Sequence, residues 1–440
     1  MDTFPYYPTT PGMGRLKRVR QANTQYEVGM SSGLGATIGR PLRRPRIRQP
    51  LTQAERVPAA TIGQPLPTSP LKLPQVQQCQ KCGAHKLGFE TANFCCGNGT
   101  IELPHNKYPS ELIRLYTGNT DDALHFQTYA RLYNNLFAFS SIGGDFDAQT
   151  HKGTMEMHDK DDRQISCREY YCYKLQNRPS NMMLRAGRCF QQYVVDMYVK
   201  IENTRLDFFR NNQDTIRAEL YQGILDTVDA GECCVANVGR RVILPPTYIG
   251  GPCDMKKRYL NAMALVQKYG KPDLFITMTC NANWPEIQER LAPGELSQNR
   301  PDLVARVFRA KLLALKKKIT EDQVFGEVAA FIYVVEFQKR GLPHAHFLII
   351  LKPAYKMKGT TDYDKFVSAE IPPPSCAALH ASVLKHMMHG PCGELNRECS
   401  CMNHKNTMGR CKYNYPKSFT DETTNNSEGY PVYRRRDDGQ

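Results

Sequence analysis

Glu336-Phe337-Gln338-Lys339-Arg340-Gly341-Leu342-Pro343-His344-Ala345-His346-Phe347-Leu348 lies between two apolar runs, Ala329 to Val335 before it and Phe347 to Leu351 closing it. Both runs have the length and composition of buried strands, and Lys339 to Pro343 supply the turn between them. Alternate residues of a strand share a face, so His344 and His346 point the same way. If Gln338 pairs opposite His344, Glu336 falls opposite His346, and all four side chains share one patch. Two imidazoles with a carboxylate or an amide oxygen form a half-open site for a divalent cation. The other reading is a buried histidine pair satisfied by hydrogen bonds. The facing Glu and Gln and the tight hairpin favour the cation.

Outward from the hairpin, Met255 to Tyr269 reads as a helix ended by Gly270, and Pro272-Asp273 introduces a strand from Leu274 to Cys280. Pro301-Asp302 opens a second helix, with Val304, Val307, Phe308, Lys311, Leu312 and Leu315 in register and Lys316 to Lys318 in its last turn. The order β–α–β–β predicts an α+β core over 251–371, an antiparallel or mixed sheet covered by helices. Residues 105–250 read as a mainly helical domain. Its clearest segment is Gly187 to Phe209, with Phe190, Val194, Met197, Ile201 and Phe208 at helical spacing. Tyr129 and Tyr133 stand four apart on a helix, but beside Leu132, Leu136, Phe137 and Phe139 they read as core.

A net charge of +15 over 440 residues favours a polyanionic partner, nucleic acid first and an anionic membrane surface second. No apolar stretch approaches the roughly 20 residues of a membrane span, and the N-terminus lacks a signal-peptide core, so an intracellular protein is expected. Residues 1–76 read as a disordered Pro/Arg-rich tail. Its cationic block from Arg40 to Arg48 suits nuclear import, a phosphate-binding arm or plain solubility.

Sixteen cysteines in a long chain without a signal point to metal ligands and free thiols rather than disulfides. Over 77–104, Cys79-x-x-Cys82 and the adjacent Cys95 and Cys96 form a zinc-type set, with His85 as a substitute. Over 372–440, His389, Cys392, Cys401 and Cys411 form a second, with Cys399 and His404 as spares. Cys167, Cys172, Cys189, Cys233, Cys234, Cys253, Cys280 and Cys376 read as buried thiols.

The hairpin motif resembles the HUH nuclease motif of Helitron transposases, the Rep/helicase proteins of rolling-circle transposons. Ala186-Gly-Arg-Cys-Phe-Gln-Gln-Tyr-Val-Val-Asp196, Tyr269-Gly-Lys-Pro-Asp-Leu-Phe-Ile-Thr277, Asn283-Trp-Pro-Glu-Ile287, Arg300-Pro-Asp-Leu-Val-Ala-Arg-Val-Phe308 and His389-Gly-Pro-Cys-Gly393 are also similar to that family's helicase-like N-terminal domain. The resemblance runs from about residue 79 to 440. It implies an HUH/Rep-like core, a nuclear location, single-stranded DNA as partner, and nicking through a 5′-phosphotyrosine at a magnesium or manganese site. His344 and His346 are the implied ligands, with Glu336 preferred over Gln338 as the third. The family's nucleophile is a tyrosine pair four apart, placed after the histidines. Tyr355, Tyr363, Tyr413, Tyr415, Tyr430 and Tyr433 make no such pair, and no Walker A pattern occurs. The expectation is therefore a truncated transposase that binds DNA without cutting it, or else a domesticated zinc-containing nucleic-acid binder. Cys253 stands where the family is expected to carry an arginine.

Overall fold

The computed structural model describes residues 25–30, 71–103, 107–137, 165–179, 181–213, 244–338, 341–402, 410–427 and 429–437. The block Arg40 to Arg48, Cys233, Cys234 and His404 lie outside them. In chain order the elements begin with β1 (Gln25–Met30), α1 (Ser110–Thr117), α2 (Asp121–Phe137), α3 (Cys167–Lys174) and α4 (Gly187–Asn211). Then come α5 (Pro252–Tyr269), β2 (Leu274–Thr279), α6 (Pro285–Gln288), α7 (Pro301–Thr320), β3 (Val328–Phe337) and β4 (Pro343–Leu351). Last are α8 (Thr360–Phe366), α9 (Ala377–His386) and the short pair β5 (Thr424–Asn425) and β6 (Pro431–Val432). Helices and small antiparallel sheets together make a mixed α+β fold.

The main sheet has the strand order β1-β3-β4-β2, with every pairing antiparallel. α7 forms where the sequence places Pro at its first position and Asp302 in its first turn, with Lys317 and Lys318 at the C-terminal end of the dipole. It lays Leu303, Val304, Val307, Phe308 and Leu312 against Phe331, Tyr333, Val335, Ala345, Phe347, Ile349 and Leu351. The opposite face carries Ala330, Ile332 and Ile350, covered by Leu265, Ala262, Val266 and Tyr269 of α5. α5 is stopped by Gly270, whose φ of 91° only glycine adopts without strain. Its cover ends at Leu348, so one end of that face stays open.

Two pieces of the stretch 1–76, expected to be disordered, are held in place. Gln25–Met30 extends the sheet as an edge strand along β3. Leu73 is buried in the main core; its N–H donates to Glu286 at 2.8 Å, and the Leu71 carbonyl accepts from Lys311 at 2.8 Å. Gln25–Met30 alternates apolar and other residues as a strand does, but its partner, a sheet edge, and the buried ion pair that holds Leu71 and Leu73 are supplied by distant sequence. The reading of Tyr129 as core is also corrected. α2 buries Ala123 and Ala130, while Tyr129 and Leu132 are exposed. Among the other cysteines, Cys280 is buried but Cys253 is exposed.

Candidate functional site

The open end of the sheet is where the hairpin histidines stand. β3 and β4 pair Glu336 with His344 and Val334 with His346. This register differs by two residues from the expected one. Because strand side chains alternate with period two, the shift keeps Glu336, His344 and His346 on one face while changing which faces which. Gln338 lies past the last pair, Phe337 with Pro343. It is an exposed turn residue whose N–H donates to Leu342 at 3.0 Å and whose carbonyl accepts from Gly341 at 2.8 Å. The loop, 338–342, keeps the expected five residues but begins one residue earlier, because Pro343, lacking an N–H, opens the strand instead of closing the turn.

β2 supplies what the sequence reading missed. It pairs Thr277 with His346 and Thr279 with His344, and the hydroxyls lie 3.0 and 2.7 Å from the two Nδ1 atoms. When each Nδ1–H donates to its threonine, each Nε2 presents a lone pair outward, the arrangement usual for a metal-ligating imidazole. The two rings meet edge to face at 4.5 Å, and Phe275 stacks on His346 at 5.2 Å and 12°. Burial and the neighbouring His346 lower the His344 pKa, while Glu336 opposes them. The net lowering favours the neutral imidazole, the form that binds a cation. The alternation Phe275-x-Thr277-x-Thr279 was the available signal, but its register against β4 is a long-range fact.

Two other groups are assembled more tightly. Among the described residues, Cys79, Cys82, Cys95 and Cys96 form one set whose ligand atoms lie within 4.8 Å of one another, and His389, Cys392, Cys401 and Cys411 form another. Glu336 with the two histidines is not such a set. The described cysteines are free thiols. A tetrahedral zinc with Zn–S near 2.3 Å holds its sulfurs about 3.8 Å apart, and a sulfur and an imidazole nitrogen about 3.5 Å apart. Cys96 Sγ lies 3.8 Å from both Cys79 and Cys95. His389 Nε2 lies 3.5 Å from Cys401 Sγ and 3.4 Å from Cys411 Sγ. Both clusters thus have the dimensions to hold a metal such as zinc.

Local backbone builds the first cluster. Gly83, at φ 65°, closes a turn onto the Cys79 carbonyl, and Ile101 donates to the Cys96 carbonyl. Arg178 then clamps the module, with its guanidinium on the Cys82 and Tyr173 carbonyls and 3.4 Å from the Cys82 sulfur. His85 is not in the set; its ring meets Gln78. Around the second cluster, Cys399 Sγ lies 3.5 Å from Cys401 Sγ, so it remains close without belonging to the tight set.

The thiols divide their protons unevenly. Burial pushes Cys79 upward, but the N–H groups of Lys81 and Cys82 outweigh it and bring the pKa to about 6. Burial raises Cys96 to about 11. In the second cluster burial also opposes ionisation of Cys411, yet the N–H groups of Tyr415 and Tyr413 bring it to about 6, while burial holds Cys401 up at about 12. Several sulfurs in contact cannot all ionise without a cation between them.

Among the described residues, no helix is long and apolar enough to cross a membrane. No curated protein matches the chain. Residues 169–349, from within α3 to within β4 and including both hairpin histidines but neither cysteine cluster, match the family model described as the Helitron helicase-like domain at N-terminus, and this supports a Helitron-related protein.

Proposed function

We propose that the chain is the N-terminal part of a Helitron-type rolling-circle transposase. In this reading it binds single-stranded DNA in the nucleus and presents a divalent-cation site of the HUH type for nicking through a phosphotyrosine. The observation that carries the reading is the open sheet face. There His344 and His346 hold their Nδ1 atoms on Thr279 and Thr277, with Glu336 beside His344. His344, His346 and Glu336 would hold magnesium or manganese, with Gln338, two residues beyond Glu336, as the alternative third ligand. The bound cation would neutralise charge developing on the oxygens of a scissile phosphate. The threonines orient the imidazoles, and the open end of the face admits a strand. Zinc at the two cysteine clusters would be structural, holding loops that have no sizeable core of their own.

A tyrosine pair spaced four apart is not found after His346 in this sequence, so this chain is expected to bind rather than to cut. A second reading, a zinc-containing nucleic-acid binder without nuclease activity, is favoured by the contrast between two tight cysteine clusters and a looser His/Glu set. Labelled single-stranded DNA with manganese tests both, using the parent chain and His344→Ala with His346→Ala. The proposal predicts binding that manganese strengthens and that the double variant weakens, without cleavage. Failure to bind contradicts it. Binding indifferent to manganese and to the variant supports the second reading, and manganese-dependent cleavage overturns the expectation of an inactive chain.

A further inference from the structure

The segment from Lys412 to Phe419, Lys-Tyr-Asn-Tyr-Pro-Lys-Ser-Phe, lies outside the matched family domain and contains no acidic residue. Cys411 anchors its start to the second cluster, and the Lys412 N–H donates to the Cys401 carbonyl at 3.0 Å. Tyr415 stacks flat on the cluster's His389, with centroids 4.1 Å apart and planes 6° apart. Despite this tethering the rings are not buried. Tyr413 is 54% exposed, Tyr415 42% and Phe419 56%.

Each of these rings carries its own cation. Lys412 Nζ sits 5.6 Å from the Tyr413 centroid, Lys417 Nζ 5.3 Å from Tyr415, and the Arg435 guanidinium 4.9 Å from Phe419. Arg435 also donates to the Lys417 carbonyl, which ties the last two pairs together. Exposed rings that pack no core, each paired with a positive charge and fixed to a rigid cluster, fit a ligand with flat faces and a negative backbone.

Resting on the nucleic-acid reading above, we propose that Tyr413, Tyr415 and Phe419 are a stacking platform for unpaired bases, with Lys412, Lys417 and Arg435 contacting the phosphates. The occupant is single-stranded nucleic acid. Duplex bases, already stacked on each other, cannot use ring faces in this way. The zinc-type cluster acts as the foundation that stops the platform from rotating away.

The test uses the whole zinc-loaded chain, a fluorescent oligo-dT strand and anisotropy titration, with bound zinc measured in every preparation. Tyr413→Ala and Phe419→Ala are each expected to weaken binding by about 5- to 150-fold at unchanged zinc content, the range of one lost base stack. Tyr415→Phe, which keeps the ring, is expected to bind like the parent. Binding by zinc-replete Tyr413→Ala and Phe419→Ala that equals the parent's overturns the platform and leaves the nucleic-acid reading standing. An equal loss on a duplex of the same length overturns base stacking. No binding by the parent chain overturns both readings together.

Discussion

Val334 and Glu336 stand one pleat apart on the same face, and their placement decides which histidine has an anionic neighbour. Glu336 faces His344 and Val334 faces His346. Glu336→Gln is therefore expected to weaken manganese binding, whereas Gln338→Ala, altering an exposed turn residue, should leave it unchanged in calorimetric titration. Thr279→Val keeps the shape and removes the oxygen against His344 Nδ1; an affinity loss of about 10- to 100-fold is expected for such an outer partner. His344 also makes a prediction in the metal-free chain. Its folded pKa is lowered by burial first and by His346 second, so the unfolded chain binds more protons at this site. Between the folded value and the unfolded value of 6.5, stability should rise with pH; the penalty is absent above that window and full below it. NMR titration of the His344 ring checks this, and a midpoint above 6.5 would contradict it.

At the scale of elements, the cysteine modules illustrate what the sequence could carry and what it could not. The members of both groups that could hold a metal were readable as candidates, helped by the local spacings Cys79-x-x-Cys82 and His389-x-x-Cys392. The clamp on the first module was not readable. Arg178 and Arg306 reach it from elements far along the chain; Arg306 pairs with Glu90 at 2.7 Å and donates to the His85 carbonyl at 2.9 Å. Both partners of that ion pair are largely buried. Replacing Glu90 by Gln leaves the Arg306 charge without its counterion, and a loss of about 3 kcal/mol in urea unfolding is expected. The hairpin shows the same division. Its two strands, the period-two alternation and the helices α5 and α7 follow from local pattern. The two-residue register, the β2 threonines and the added β1 depend on which strands meet. Zinc content is the direct check on the clusters: two ions per chain are expected, and chelation should loosen 79–96 and 389–411 while the α7-backed sheet persists. A metal content near zero in protein purified without chelators would contradict this.

For the whole molecule, the relation between the sheet and its covers matters most. α7 shields one face along its length with an apolar seam, whereas α5 reaches only as far as Leu348 and leaves the histidine end open. The positive net charge of the chain favours a polyanionic partner, whose binding is expected to weaken as salt rises. The account stands on a divalent cation held at that opening. Manganese titrated into isotopically labelled chain reports it directly through paramagnetic broadening. The account predicts that the His344 and His346 ring signals broaden first, and that His344→Ala with His346→Ala abolishes broadening at Thr277 and Thr279. Broadening confined to surface carboxylates, with both imidazoles still sharp, would contradict it.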